Sequence, residues 1–303
     1  MKSLANARHI AHLFDVRTPI LNEKDTKMTT KTIVLLFPAM LAGITSATGM
    51  SDPPPRAAAD TAGPIQQHRV LATLWMKHAA EVRALQYQAF NLARMRLDQE
   101  LAKPRTGKKP AVIVDVDETV LDTSAFQAAL AAGNQEFPAG WRKWISSAQA
   151  TAVPGSLAFL QHAADSGVAV FYVTNRREPM KDGTLRNLAA LGFPSAKEAH
   201  ILCKTKTSDK APRREAVARS HRILLLIGDN LNDFDAAFLG KNTAERAAAV
   251  DRRREAFGSR FIILPNAMYG HWESAFYGYD WSLTPAQRSV IRLRLLRGSA
   301  TGE

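Results

Sequence analysis

Two aspartates one residue apart, Asp115 and Asp117, follow directly on the short apolar run 111–114. Residues 168–173 form a similar run that ends in Thr174, Asn175 and Arg176, and residues 223–227 run into Gly228 and Asp229, with Asp233 four residues later. Carboxylates grouped at strand ends gather oxygen around one point. A hard divalent cation, Mg²⁺ first among them, suits such a cluster, since it takes a few carboxylates together with waters and substrate phosphate oxygens. Asp115, Asp117, Asp229 and Asp233 are the candidate ligands. A carboxylate in that setting can attack phosphorus and form an aspartyl phosphate, which divides one hard displacement into two easier ones. Asp115 is the candidate nucleophile, and Asp117 is placed to protonate the leaving oxygen and then to take a proton from the attacking water. Thr174 offers a hydroxyl and Asn175 a backbone N–H to the phosphoryl oxygens, with Arg176 beside them as a further substrate contact. Charge on the transferring group also needs a cation. Lys210, nineteen residues before Asp229 and at the start of a predicted helix, is the candidate, ahead of Lys204 and Lys206.

A calcium loop is excluded by spacing. Counted from Asp115, the sixth position is Val120 where an EF-hand needs Gly, and the twelfth is Phe126 where it needs Glu. Solvated surface acids are the other reading, but such acids seldom follow buried strands so directly.

These groups converge only if the elements before them form one sheet. The runs at 111–114, 168–173, 223–227 and 261–264, with a weaker one at 199–203, are apolar on both faces. Helical stretches at 157–165, 183–191, 213–220 and 243–257 separate them. That alternation predicts an α/β three-layer sandwich around a parallel sheet, with ligands bound outside the carboxyl ends of its strands. Residues 65–101 hold no Pro or Gly, and Leu71, Leu74, Val82, Leu85, Ala89 and Leu92 recur near a helical period, which predicts one long helix or two. Residues 122–153, with Trp141 and Trp144, read as a small helical cap over the active face. Residues 65–109 are expected to pack with that cap, and 110–303 to form the core.

The motifs in order, Asp115-Val-Asp-Glu-Thr-Val-Leu121, Thr174, Lys210 and Gly228-Asp229-Asn-Leu-Asn-Asp233, resemble those of the haloacid dehalogenase superfamily. Within it the chain resembles the class C acid phosphatases, a bacterial family that includes outer-membrane lipoprotein 5′-nucleotidases. The likeness runs over roughly residues 65–282 and takes in Leu264-Pro-Asn266 and Tyr269-Gly-His-Trp-Glu273. It implies a Mg²⁺-dependent phosphomonoesterase active at acid pH, with Asp115 as nucleophile, Asp117 as acid/base, Asp229 as metal ligand and Asp233 as a ligand or its support. Phe126 stands where the family signature usually ends in Tyr, which removes a hydroxyl. Trp141 and Tyr269 are the proposed clamp on the base of a nucleoside 5′-monophosphate, since aromatic stacking tolerates any base. Transfer to an alcohol on the same fold, or an inactive basic protein that grips polyanions, are the alternatives.

The 303 residues carry 40 Lys and Arg against 28 Asp and Glu, a formal +12 that favours anionic ligands. Arg246, Arg252, Arg253 and Arg254 are interrupted by Glu and Ala and read as a solvated helix face rather than a nucleic-acid site. The single Cys203 excludes an internal disulfide and any multi-cysteine zinc site. Residues 33–44 form a twelve-residue apolar run preceded by Lys31 and followed by small residues. That run is too short to cross a core about 30 Å thick at about 1.5 Å per residue. A cleaved signal over 28–49 is expected, with a flexible leader at 50–64 and residues 1–27 ahead of the true start at Met28. No cysteine lies near the end of the run, so no stable membrane anchor is expected. The expected product is a periplasmic or secreted protein acting on a small phosphomonoester, with no nucleic-acid polymer as partner and a homodimer left open.

Overall fold

The structure is a computed structural model that describes residues 67–104 and 107–301. The expected start at Met28, the signal at 28–49 and the leader at 50–64 lie outside the described residues. Five strands, β1 (Lys109–Val114), β4 (Ala169–Arg177), β5 (Ile201–Lys204), β6 (His221–Gly228) and β7 (Phe261–Ile263), form one sheet in the order β5-β4-β1-β6-β7. Every pairing is parallel. Side chains alternate faces along each strand, and both faces are covered. Val112 and Val114 of β1, with Val170 and Tyr172 of β4, pack among α2 (Ala80–Leu101) and α5 (Ser156–Asp165). Ala111 and Ile113, with Phe171 and Val173, pack against Val217 of α7 (Ala211–Ser220) and Ala249 of α8 (Thr243–Asp251). This is the three-layer α/β sandwich expected from the runs. The chain builds outward from β1 first on one side and then on the other, so the direction reverses beside β1 and a crevice opens at the carboxyl ends there.

The helical segment before β1 is two helices. α1 (Gln67–His78) ends at Ala79, whose extended backbone (φ −71°, ψ 128°) resets the helical phase before α2. The single apolar stripe predicted across both is therefore broken: Leu71 is 77% exposed, and the buried face of α2 is Val82, Gln86, Ala89, Phe90, Ala93 and Leu97. α1 lies against the cap helix α3 (Ser124–Ala132), while α2 lies against α5 and the sheet. The helix predicted over 243–257 stops at Asp251 and is followed by a single 3₁₀ turn.

The cap inserts between β2 (Leu121–Asp122) and β3 (Thr151–Ala152), which pair antiparallel and close its base. It holds α3 and α4 (Trp141–Ser147). α4 is seated on α6 (Lys181–Ala190) through Gly183, where an added Cβ would stand 2.6 Å from the Ile145 carbonyl oxygen. Beyond β7 lie α9 (His271–Phe276) and α10 (Pro285–Thr301). No described helix is long and apolar enough to cross a membrane.

Because backbone cannot yield to that contact, Gly183→Ala is expected to destabilise the fold by about 1–3 kcal/mol. Urea unfolding followed by tryptophan fluorescence measures this, and an unchanged midpoint would show that α4 is not seated through Gly183.

Candidate active site

β1 ends where the Asp115 amide donates to the Ile227 carbonyl at 2.9 Å, which ties the first carboxylate to the end of β6. The next turn folds back on itself: the Val120 and Leu121 amides both donate to the Val116 carbonyl, and Glu118 takes a left-handed conformation (φ 54°). Glu118 is buried and accepts hydrogen bonds from the Thr123 amide and hydroxyl. Burial, with Asp117 and Asp229 nearby, raises its carboxyl well above the usual range.

At the end of β6, Asn230 and Asp233 cap a 3₁₀ turn reciprocally, the Asn230 amide donating to Asp233 Oδ2 at 2.9 Å. Only glycine fits before it, because a Cβ at position 228 would lie 2.3 Å from Asp233 Oδ2. Asp229 accepts from Asn266 Nδ2 at 2.8 Å and from the Thr119 hydroxyl at 3.3 Å. Oxygens of Asp115, Asp229 and Asp233 thus come within 4.8 Å of one another. Lys210, immediately before α7, reaches in from the neighbouring crossover and pairs with both Asp115 and Asp233, 2.6 Å from the latter. It is 3% exposed. Burial alone would lower its pKa, but the two carboxylates outweigh burial and the ammonium stays charged. Asp229 is pushed well above its ordinary range by burial and then by Asp233 and Asp115. Three hard oxygen donors whose mutual repulsion is that large fit a divalent cation in donor type and in charge.

The structure thus brings Asp115, Lys210, Asp229 and Asp233 together. Asp117, expected among the ligands, stands outside that trio of carboxylates because its carboxylate is turned to Arg176, 2.7 Å from Nη2. Arg176, expected to contact substrate, is 2% exposed and its guanidinium is committed to Asp117 and Thr184. Thr174 is fully buried, and its Oγ1 accepts from the Arg176 amide at 3.1 Å. Asn175 Oδ1 accepts from Arg213 at 2.7 Å, and Arg213 also donates to the Thr174 carbonyl. Arg213 is a functional neighbour that no motif marks, although its place three residues after Lys210 puts both on one face of the helix start.

Trp141 and Tyr269 belong to separate apolar clusters. Trp141 is 8% exposed, stacked on Trp144 (5.6 Å, 8°) and packed on Phe126 (4.8 Å). Tyr269 lies on the loop that Asn266 ties to Asp229, its amide directed to Asn266 Oδ1 at 3.4 Å. The four-arginine face also needs correction. Arg246 is buried and donates to Asn232 Oδ1 and the Phe238 carbonyl, because the 3₁₀ turns beside α8 leave those acceptors facing it. Arg252 and Arg254 are exposed.

A parallel sheet with a reversal beside β1, an aspartate pair just past the end of that strand and a lysine and two more aspartates from the next crossovers define a phosphoryl-transfer class of α/β protein. Residues 57–272 match the model for the HAD superfamily, subfamily IIIB (Acid phosphatase), and the chain belongs to that family. Its structure is similar to that of the class C acid phosphatase from Bacillus anthracis, with 41% identity, a TM-score of 0.74, and 76% of this chain and 97% of that chain covered. A second structure of that protein, with tungstate bound, matches at 41% identity over the same shares with a TM-score of 0.73. Acid phosphatase 1 of Solanum lycopersicum is 32% identical over 167 residues, 52% of this chain and 57% of that relative, so the match spans little more than half of the relative's length.

His271, at the start of α9, is pushed down to about 4 by burial, with Arg246, Lys210 and Lys204 adding positive charge. The unfolded chain takes up this proton near 6.5, so between about pH 6.5 and pH 4 it binds more protons than the folded state, and stability falls as pH drops. The shift corresponds to about 3 kcal/mol. His271→Gln is expected to lose less stability than the wild type between neutral and mildly acid pH in denaturant titrations, and superimposable pH profiles would contradict the assignment.

Proposed function

We propose that the protein is a Mg²⁺-dependent acid phosphatase that hydrolyses phosphomonoesters through a phosphorylated Asp115. The observation that carries this is the meeting of Asp115 with Lys210, Asp229 and Asp233 at the carboxyl edge of the sheet, with Asp117 held apart from them. Lys210 offsets charge on the transferring group beside the nucleophile. The Thr174 hydroxyl and Asn175 amide address the phosphoryl oxygens from the end of β4. The Asp115 oxygen bonds to phosphorus as the bond to the leaving oxygen breaks, and Asp117 gives that oxygen its proton. Water then attacks phosphorus, Asp117 takes the water's proton, and Asp115 is released. Burial raises Asp117 towards the protonated form that the first step needs, against the opposing pull of Arg176, and this supports acid-side activity. Asp115, Asp229 and Asp233 would hold the cation, which supplies positive charge that lets a carboxylate and a phosphate dianion approach.

Tungstate, found in a relative at 41% identity, is a tetrahedral oxyanion like phosphate, which supports the anion class. Nucleoside 5′-monophosphates are the substrates we propose, with Tyr269 as the stacking surface beside Asp229. The apolar run at 33–44 supports secretion to the periplasm or beyond.

Phosphate release from AMP and p-nitrophenyl phosphate at about pH 5, with Mg²⁺ and with chelator, tests the mechanism. Asp115→Asn is expected to lose at least ~10³-fold in kcat, and chelation to abolish wild-type turnover. Equal turnover of the two proteins would refute the nucleophile. Tyr269→Ala is expected to raise KM for AMP and not for p-nitrophenyl phosphate.

A further inference from the structure

A general acid must present its proton to one oxygen of the substrate, so its carboxylate must not rotate. Nothing on Asp117's own loop clamps that group. The clamp comes from Arg176, fifty-nine residues away, whose Nε lies 3.1 Å from Oδ1 and 3.3 Å from Oδ2, with Nη2 2.7 Å from Oδ1. Such a fork fixes the plane of a carboxylate as well as its distance, which a single ammonium cannot do.

Arg176 is itself fixed from three sides. Nη1 donates to the Thr184 hydroxyl at 3.0 Å, and that hydroxyl donates to the Met180 carbonyl at 2.9 Å, which leaves an oxygen lone pair directed at the guanidinium. Its own amide is held by Thr174 Oγ1. The Trp141 ring of cap helix α4 lies 5.6 Å from the guanidinium carbon, within cation–π reach. Thr184 is next to Gly183, the residue on which α4 is seated.

We propose that Arg176 is a positioning residue that acts on the reaction through Asp117, and that α6 and the cap set it through Thr184 and Trp141. The cap then has a role in the proton transfer itself as well as in covering the site. This rests on Asp117 being the acid/base, and it differs from a phosphate-binding role for Arg176 in what each predicts. In the first step the proton of Asp117 goes to the leaving oxygen. A nitrophenolate departs readily without that proton, whereas an alkoxide does not, so a misplaced Asp117 penalises alkyl esters selectively. Loss of a phosphate contact penalises every ester alike.

The test compares kcat/KM for glycerol 3-phosphate and p-nitrophenyl phosphate in the Mg²⁺-loaded enzyme, together with inhibition by inorganic phosphate. Arg176→Met is expected to lose ~10²-fold on the alkyl ester and under ~10-fold on the aryl ester, with phosphate inhibition changed less than ~3-fold. Arg176→Lys is expected to restore little. Thr184→Val, which keeps the Arg176–Asp117 pair, is expected to shift the ratio of the two substrates in the same direction by a smaller factor. Equal losses on both substrates with weakened phosphate inhibition would overturn the proposal, as would a wild-type ratio in Arg176→Met; a wild-type ratio in Thr184→Val alone would overturn the part assigned to α6. Asp117→Asn separates the two levels. A flat ratio in that variant refutes Asp117 as the acid, while a steep one alongside a flat Arg176→Met refutes only the positioning role.

Discussion

Three carboxylates in this protein are held closer together than they would stand in water, and one buried ammonium keeps them there. At an effective dielectric near 20, two like charges about 4 Å apart repel by about 4 kcal/mol. Asp115, Asp229 and Asp233 face that repulsion with little solvent to relieve it, and Asp229 shows it most plainly in its raised pKa. Lys210 offsets part of the repulsion by pairing with two of the three. The remainder is a standing attraction for a cation.

The scaffold exists to hold this concentration of charge. Parallel strands deliver their carboxyl ends to one edge, and the reversal beside β1 leaves room there between the crossovers. Small devices then fix each group. Gly228 makes room for Asp233, Asn230 caps against it, Asn266 and Thr119 hold Asp229, and the first turn of α7 delivers Lys210. Asp117 lies to one side of that trio, with its carboxylate paired to Arg176.

The strands and the charged cluster were legible because they are local signals: an apolar run followed at once by Asp, Thr or Gly-Asp needs no knowledge of distant contacts. What the pattern could not show were pairings across the sequence. Position at the end of an apolar run marks Arg176 as polar and close to the cluster, and only the fold reveals that Asp117 already occupies its guanidinium. The type of Trp141 is visible in the sequence, while its packing on Trp144 and Phe126 is not. The phase reset at Ala79 involves no Pro or Gly and left no mark in the composition. α10 was missed although its start was readable, since Thr284 and Gln287 cap each other around Pro285 at the first helical position.

The charge cluster is tested most directly by titrating the purified protein with Mn²⁺ and following the loss of the free aqua-ion signal by electron paramagnetic resonance. One tightly held ion per chain, displaced by Mg²⁺, is expected, with no such binding in a folded Asp229→Asn variant. Undiminished binding of one ion by that variant would place the cation elsewhere and contradict the account.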